Sequence, residues 1–225
     1  MSLAFYNILR AGTRFIRWQT MRCLVVDESR TRRHGGFILA CTHLSHLDPV
    51  LVSSVVRRQI HWMARQEFFE RRWAATVLAL GGAFPVDRSG SCLRAVRNGV
   101  FLAREGHCVG IFPEGGVSRG ERSILQGAFP KQGVCTIAVE ARVPVVPIVL
   151  LGSERLTEVG PWLPFRRGRL YFAFGRDVHP PRRTKSRRAD RAEMAESLRL
   201  EFLQTYANLL ERTGLVGLTN SPRDT

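Results

Sequence analysis

The stretch CTHLSHLDPV contains a histidine and a carboxylate at a spacing that suits base chemistry. His43 and Asp48 are five residues apart, and Asp48-Pro49 before an apolar run predicts a helix start, because a carboxylate suits the N-cap and proline the first turn. Both residues would then lie on one loop between a strand and a helix. An aspartate that accepts from histidine Nδ1 leaves Nε2 free to take a proton. Asp48 could instead serve only as a helix cap, and His46, without a carboxylate at this offset, is the weaker base candidate.

A second stretch, FPEGGVSRG, carries a competing signal. Residues 116–120 spell GxSxG, the nucleophile turn of serine hydrolases, which would make Ser118 a nucleophile. That chemistry needs a strand, a sharp turn and a helix in succession, followed by an acid and a histidine. Asp177 and His179 do follow, but they are two residues apart, and the predicted strand ends at Phe112, six residues before the serine. The hydrolase interpretation is therefore disfavoured.

Further polar residues stand at the ends of predicted strands. GGAFPVDR ends at Arg88, whose guanidinium could bind a phosphate through two hydrogen bonds, although a surface arginine would look the same. In FPEG, Pro113 and Gly115 shape a turn that aims Glu114. The stretch ARVPVVPIVL enters a strand through two prolines, which by itself is structural.

The elements that must position these residues alternate along the chain. Short apolar runs predict strands at 23–26, 36–41, 60–64, 83–86, 108–112, 145–150 and 170–174. Helical patterns are found at 49–58, 67–80, 91–104, 131–141 and 190–210. This alternation predicts a single α/β domain with a mostly parallel central sheet flanked by helices. Loops at the carboxyl ends of such strands are where ligands bind.

The charge of the 225-residue chain is strongly positive. Its 34 Lys and Arg against 19 Asp and Glu give +15, which favours phosphate-bearing partners. The arginines are spread along the chain without a nucleic-acid recognition module, so we expect no nucleic-acid partner. The five cysteines show no metal-ligand spacing, and we interpret them as core thiols in a reducing compartment, with no metal site.

The ends of the chain predict two flanking segments around a domain at 23–180. The pattern of residues 1–22 predicts a basic amphipathic helix that suits a membrane interface or the protein's own core equally well. Arg10, Arg14 and Arg17 interrupt every apolar run near the N-terminus, so we expect no signal peptide. No stretch of the sequence approaches about 18 uninterrupted apolar residues, so we expect no transmembrane span. Residues 181–225 predict a basic linker and a C-terminal helix packed on the domain.

Four of these stretches, in this order, resemble the glycerolphosphate and lysophosphatidic acid acyltransferase family. Its HxxxxD block is matched by His43 to Asp48, its glycine-aromatic-R block by Gly82, Phe84 and Arg88, its FPEG block by Phe112 to Gly115, and its VPxxP block by Val143 to Pro147. The resemblance covers about residues 20 to 175, nearly the whole predicted α/β body. It implies an enzyme of phospholipid synthesis with this fold.

The resemblance also implies a mechanism without an acyl-enzyme. His43 would take the proton from a lysophospholipid hydroxyl, which attacks the thioester of acyl-CoA or acyl carrier protein, while Asp48 orients the imidazole. No metal or redox cofactor is implied. Because the lipid substrates are amphiphiles, the enzyme would work as a peripheral protein at an anionic membrane surface, on the cytoplasmic face of the cell membrane. A basic lipid-binding module without turnover is the non-catalytic alternative.

The resemblance implies that Arg88 and Glu114 with Gly115 bind the acceptor headgroup and that Ser118 is a pocket residue. One departure bears on that site. The family's block continues FPEGTRS, whereas this chain has Gly116-Val117 in place of Thr and Arg. Lysophosphatidic acid is the default acceptor, with glycerol 3-phosphate, other lysolipids or an amino-lipid as alternatives. Arg119 or Arg122 could replace the missing cation.

Overall fold

Seven strands form one sheet in the computed structural model, which describes residues 3–71, 75–76, 78–79, 81–86, 93–118, 120–156, 168–182 and 186–215. The strands are β1 (Met21–Val26), β2 (Phe37–Cys41), β3 (Ile60–Arg65), β4 (Phe84–Val86), β5 (Cys108–Ile111), β6 (Val145–Leu151) and β7 (Gly168–Phe174). Their order across the sheet is β1-β7-β6-β2-β5-β3-β4. All neighbouring pairs are parallel except β6 and β7. The predicted α/β fold with a mostly parallel sheet is therefore confirmed.

Five helices longer than one turn flank the sheet in the described ranges. They are α1 (Leu3–Thr20), α2 (Asp48–Val55), α3 (Leu93–Arg104), α4 (Gln132–Ala141) and α5 (Arg187–Thr213). The helix predicted at 67–80 is wrong at its start, where a 3₁₀ turn covers Gln66–Phe69 and leaves none of its residues buried. With no buried face, nothing holds that turn in a longer helix. Residues 75–76 and 78–79 are helical.

The core lies on both faces of the sheet. Strand β2 is buried on both sides, because Ile38 and Ala40 pack on the face covered by α4 and α5, while Phe37 and Leu39 pack on the face covered by α2. Such two-sided burial explains why the central strands are continuous apolar runs without alternation. Three layers result, with helices on both faces.

Strand direction decides which loops meet at each edge. Strands β2 to β6 all run the same way, so the loops after β2 and β5 meet at one edge, which we call the carboxyl edge. Strands β7 and β1 run the opposite way and therefore begin at the carboxyl edge. Helix α1 leads directly into β1, so α1 also ends there. The start of α1 lies at the other edge, where the Tyr6 hydroxyl donates to the Arg58 carbonyl (3.4 Å).

Candidate active site

The loop that follows β2 leaves the sheet at the carboxyl edge. Thr42 fixes its start, because the Thr42 hydroxyl donates to the carbonyl of Leu150 in β6 (3.2 Å) and accepts from the amide of the same residue (2.9 Å). The next residue, His43, therefore emerges beside β6 on one side and β5 on the other.

His43 and Asp48 form the pair that their spacing predicted. The distance from Nδ1 to Asp48 Oδ2 is 3.0 Å, and the Asp48 side chain is 0% exposed. The same oxygen accepts from the amides of Leu44 (2.7 Å) and Ser45 (2.8 Å). The expectation that Asp48 is the N-cap of α2 is wrong: Leu47 is the N-cap and Asp48 is the first helical residue. The Asp48 carboxylate accepts from amides that precede the helix and so does not cap it. Pro49 does occupy the first turn.

A stack of rings covers one face of the His43 imidazole. Its centroid lies 4.0 Å from that of Phe112, whose ring stacks in turn on Trp62 at 4.9 Å. The Trp62 indole donates to Ser53 of α2 (3.0 Å). Gly110 makes room for the indole, since a Cβ there would come within 2.5 Å of a Trp62 ring carbon.

These contacts leave one ring nitrogen of His43 available. Nδ1 faces the carboxylate and so carries a proton, and Nε2 has no hydrogen-bond partner among the described residues. The His43 side chain is 13% exposed. A neutral imidazole held in this tautomer presents a basic nitrogen to a ligand at the carboxyl edge.

Glu114 lies on the turn after β5 and bonds within the chain. Its Oε2 accepts from the His43 amide (2.9 Å), and its Oε1 accepts from the Ser123 hydroxyl and the Ile124 amide (both 2.9 Å). Burial raises the pKa of Glu114, and these hydrogen bonds oppose that rise. Gly115 allows the turn with φ +78°, a left-handed conformation that suits glycine.

Ser118 lies in the same loop but not on a nucleophile turn. It is buried, and its amide donates to the His43 carbonyl (3.0 Å). Strand β5 ends at Ile111, and no helix longer than a 3₁₀ turn follows Ser118 in the described residues before α4. Asp177 lies at the opposite edge, since it follows β7, and it pairs there with Arg33. The geometry does not form a serine hydrolase triad.

Two predicted cations fall outside the described residues, namely Arg88 and Arg119. A third cation, Arg65, was missed by the sequence interpretation. It is the last residue of β3, and a Cβ added to Gly116 would come 3.3 Å from its Nη2. Arg65 is exposed and has no ion pair among the described residues. The sequence does contain an indication of Arg65, because this arginine directly follows the apolar run that predicts β3 and so stands at the end of a strand.

Across the described ranges, no group of three or more His, Cys, Asp or Glu side chains is arranged to hold a metal ion.

Comparison with known proteins identifies the class of enzyme. A family model described as Acyltransferase matches residues 22–151, which include both strands and loops that form the site. The chain belongs to this acyltransferase family, and it is an acyltransferase.

Individual relatives agree with this assignment. A 1-acyl-sn-glycerol-3-phosphate acyltransferase of Bacillus subtilis is 31% identical over 156 residues, covering 69% of this chain and 73% of the relative. A human 1-acyl-sn-glycerol-3-phosphate acyltransferase beta is 29% identical over 133 residues, covering 57% of this chain and 46% of the relative. The crystal structure of the Thermotoga maritima 1-acyl-sn-glycerophosphate (LPA) acyltransferase PlsC superposes with a TM-score of 0.63 at 20% identity, covering 92% of this chain and 79% of that one. At that identity the superposition shows the fold alone.

Proposed function

We propose that the enzyme transfers a fatty acyl group from acyl-CoA or acyl carrier protein to the free hydroxyl of 1-acyl-sn-glycerol 3-phosphate, giving phosphatidic acid. The observation that carries the proposal is the His43–Asp48 pair, held at 3.0 Å with the carboxylate buried and Nε2 unbonded within the described residues. The names of the relatives support the choice of acceptor.

In the proposed reaction His43 is a general base and no acyl-enzyme forms. Nε2 takes the hydroxyl proton of the acceptor as the oxygen attacks the thioester carbonyl carbon. The C–S bond then breaks, and the imidazolium returns the proton to the leaving thiolate, so the products are an ester and a free thiol. Asp48 stabilises the imidazolium, because its carboxylate lies against Nδ1. General-base assistance of this kind contributes about 10²- to 10⁴-fold in rate.

Arg65 supplies a cation where the FPEG block departs from the family pattern. Its guanidinium lies against Gly116, so a positive charge stands beside the position at which the family carries Thr-Arg. This guanidinium is exposed and has no ion-pair partner among the described residues, so it is suited to bind a phosphate through two hydrogen bonds. We therefore assign Arg65 to the phosphate of the acceptor, together with Arg88. Gly115 and Ser118 line the same loop and stay predicted pocket residues.

The exposed apolar residues support work at a membrane surface. Trp18 (71% exposed) and Phe15 (59% exposed) lie in the second half of α1, near the carboxyl edge where His43 emerges. Val50 and Phe68, beside the site, are also exposed. Aromatic residues with nearby arginines suit the interfacial zone of an anionic leaflet, such as that of the cytoplasmic face. No helix in the described part of the chain has the length and apolarity needed to cross a bilayer.

The test is a thiol-release assay with acyl-CoA and a panel of acceptors. The panel contains 1-acyl-sn-glycerol 3-phosphate, glycerol 3-phosphate, a lysophospholipid with a choline headgroup and an acceptor without phosphate. We expect the highest kcat/KM with 1-acyl-sn-glycerol 3-phosphate. A preference for the phosphate-free acceptor would show that Gly116-Val117 marks a different substrate, and vesicle binding without thiol release would favour the non-catalytic lipid-binding alternative.

A further inference from the structure

We propose that Glu114 is a positioning residue, which acts on the reaction through His43 and not through the acceptor. This inference rests on the proposed function, in which His43 is the general base. Its evidence is the set of hydrogen bonds that holds the backbone of the His43 loop.

Two carboxylates share three consecutive amides of that loop. Asp48 accepts from Leu44 (2.7 Å) and Ser45 (2.8 Å), and Glu114 accepts from His43 (2.9 Å). Asp48 follows the loop directly in the chain, whereas Glu114 reaches it from the turn after the neighbouring strand β5. The His43 amide, which is not bonded to Asp48, is thus held by Glu114 from outside the loop.

The carbonyl of His43 is held from the same side. The Ser118 amide donates to it at 3.0 Å. The loop that contains Glu114 and Ser118 is therefore hydrogen-bonded to both the amide and the carbonyl of His43. Because the imidazole is attached to this backbone, these two hydrogen bonds determine the position of Nε2. A displacement of about 1 Å in a reacting group can cost about 10²-fold in rate.

The second oxygen of Glu114 anchors the carboxylate to the protein. Ser123 and Ile124, both buried, donate to Oε1 at 2.9 Å. With both oxygens bonded inside the chain, the carboxylate is oriented towards the His43 backbone. Ser123 is therefore a second positioning residue, which acts through Glu114.

A glutamine at position 114 cannot satisfy both sides. Its single oxygen can face either His43 or the Ser123–Ile124 pair, and its amide nitrogen then points at a backbone N–H on the other side. One donor is left opposing another donor. The loop should shift, although the size of the side chain is unchanged.

The experiment measures kcat and acceptor KM for Glu114→Gln, Ser123→Ala and Ser123→Thr with 1-acyl-sn-glycerol 3-phosphate and acyl-CoA. Glu121→Gln, an exposed carboxylate in the 3₁₀ turn Gly120–Arg122, is the matched control. We expect kcat to fall about 10- to 100-fold for Glu114→Gln, within the cost of a displaced reacting group. Ser123→Ala should lower kcat by a smaller factor, Ser123→Thr should restore it, and acceptor KM should stay within about twofold throughout.

The outcomes separate this inference from the proposed function. A raised acceptor KM at unchanged kcat in Glu114→Gln would overturn the inference, because it would place the carboxylate on the acceptor. If Glu114→Gln does not fold, Ser123→Ala decides: a wild-type kcat in that variant refutes the positioning role. Transfer at the wild-type rate by His43→Ala would refute the proposed function itself, whereas an inactive His43→Ala with a fully active Glu114→Gln would refute only the inference.

Discussion

Replacing Asp48 with asparagine removes a charge from the site at almost constant volume. Asp48 Oδ2 accepts from three donors, at 3.0 Å from His43 Nδ1 and at 2.7 and 2.8 Å from the Leu44 and Ser45 amides. An asparagine oxygen can keep these contacts, but its nitrogen then fills the place of Oδ1, which is buried without a hydrogen-bond partner among the described residues. A buried donor left unsatisfied costs about 1 to 3 kcal/mol of folding stability.

The effect on the reaction is larger than the effect on folding. A hydrogen bond to a charged group contributes about 1.5 to 3 kcal/mol. The bond between His43 Nδ1 and Asp48 joins two opposite charges only after His43 has taken the proton, so its loss destabilises the transition state more than the resting enzyme. At about 1.4 kcal/mol per factor of ten, kcat should fall about 10- to 150-fold. If the alternative amide flip drives Nδ1 into the wrong tautomer, the loss approaches about 10⁴-fold.

The assay is thiol release at saturating acceptor, with the thermal unfolding midpoint measured in parallel. Asp177→Asn is the matched control, because Asp177 also lies near a histidine, at 3.9 Å from His179, but at the edge opposite the site. We expect the control to keep its kcat. A folded Asp48→Asn variant with a kcat within about twofold of the wild type would refute the role of Asp48.

Three further predictions concern the acceptor, the membrane and pH. Arg65→Gln should raise acceptor KM by about 10- to 100-fold, since a charged hydrogen bond is lost. Arg57→Gln, which changes an exposed arginine three residues before the start of β3, should leave KM unchanged, and equal KM values for the two variants would exclude Arg65 from the phosphate site. Trp18→Ser should weaken sedimentation with anionic vesicles more than Phe101→Ser, which alters another exposed aromatic residue (60% exposed) on α3. Equal binding by the two variants would exclude α1 from the membrane contact. Burial and a neighbouring histidine lower the pKa of His61, so the folded state binds this proton more weakly than the unfolded state does. This contribution to stability is therefore lost as pH falls below the ordinary value of about 6.5. His61→Gln should flatten the decline of the unfolding midpoint between pH 7.5 and 5.5, and an unchanged slope would contradict this.

Local sequence patterns were sufficient to predict the strands and the His43–Asp48 pair. His43 and Asp48 belong to one loop, so their spacing alone brings them together once a strand precedes them and a helix follows. The central strands are continuous apolar runs because both faces are buried, and such runs are visible without a structure. The helix expected at 67–80 was wrong at its start, because none of the residues in the 3₁₀ turn Gln66–Phe69 is buried against a packing surface.

Contacts between distant segments were not predictable from the sequence. The bond from Glu114 to the His43 amide spans 71 residues and depends on β5 lying directly beside β2. The approach of Arg65 to Gly116 depends in the same way on β3 lying next to β5. Periodicity shows that strands exist, but it does not show which strands are neighbours.

The central claim, that His43 is the base, is tested most directly by the rate of thiol release from acyl-CoA by His43→Ala at saturating 1-acyl-sn-glycerol 3-phosphate. His46→Ala is the control, because His46 lies 6.4 Å from His43, between ring centroids, and is exposed. We predict that kcat falls at least about 10²-fold in His43→Ala and stays within about threefold of the wild type in His46→Ala. Undiminished transfer by a folded His43→Ala variant would contradict the mechanism.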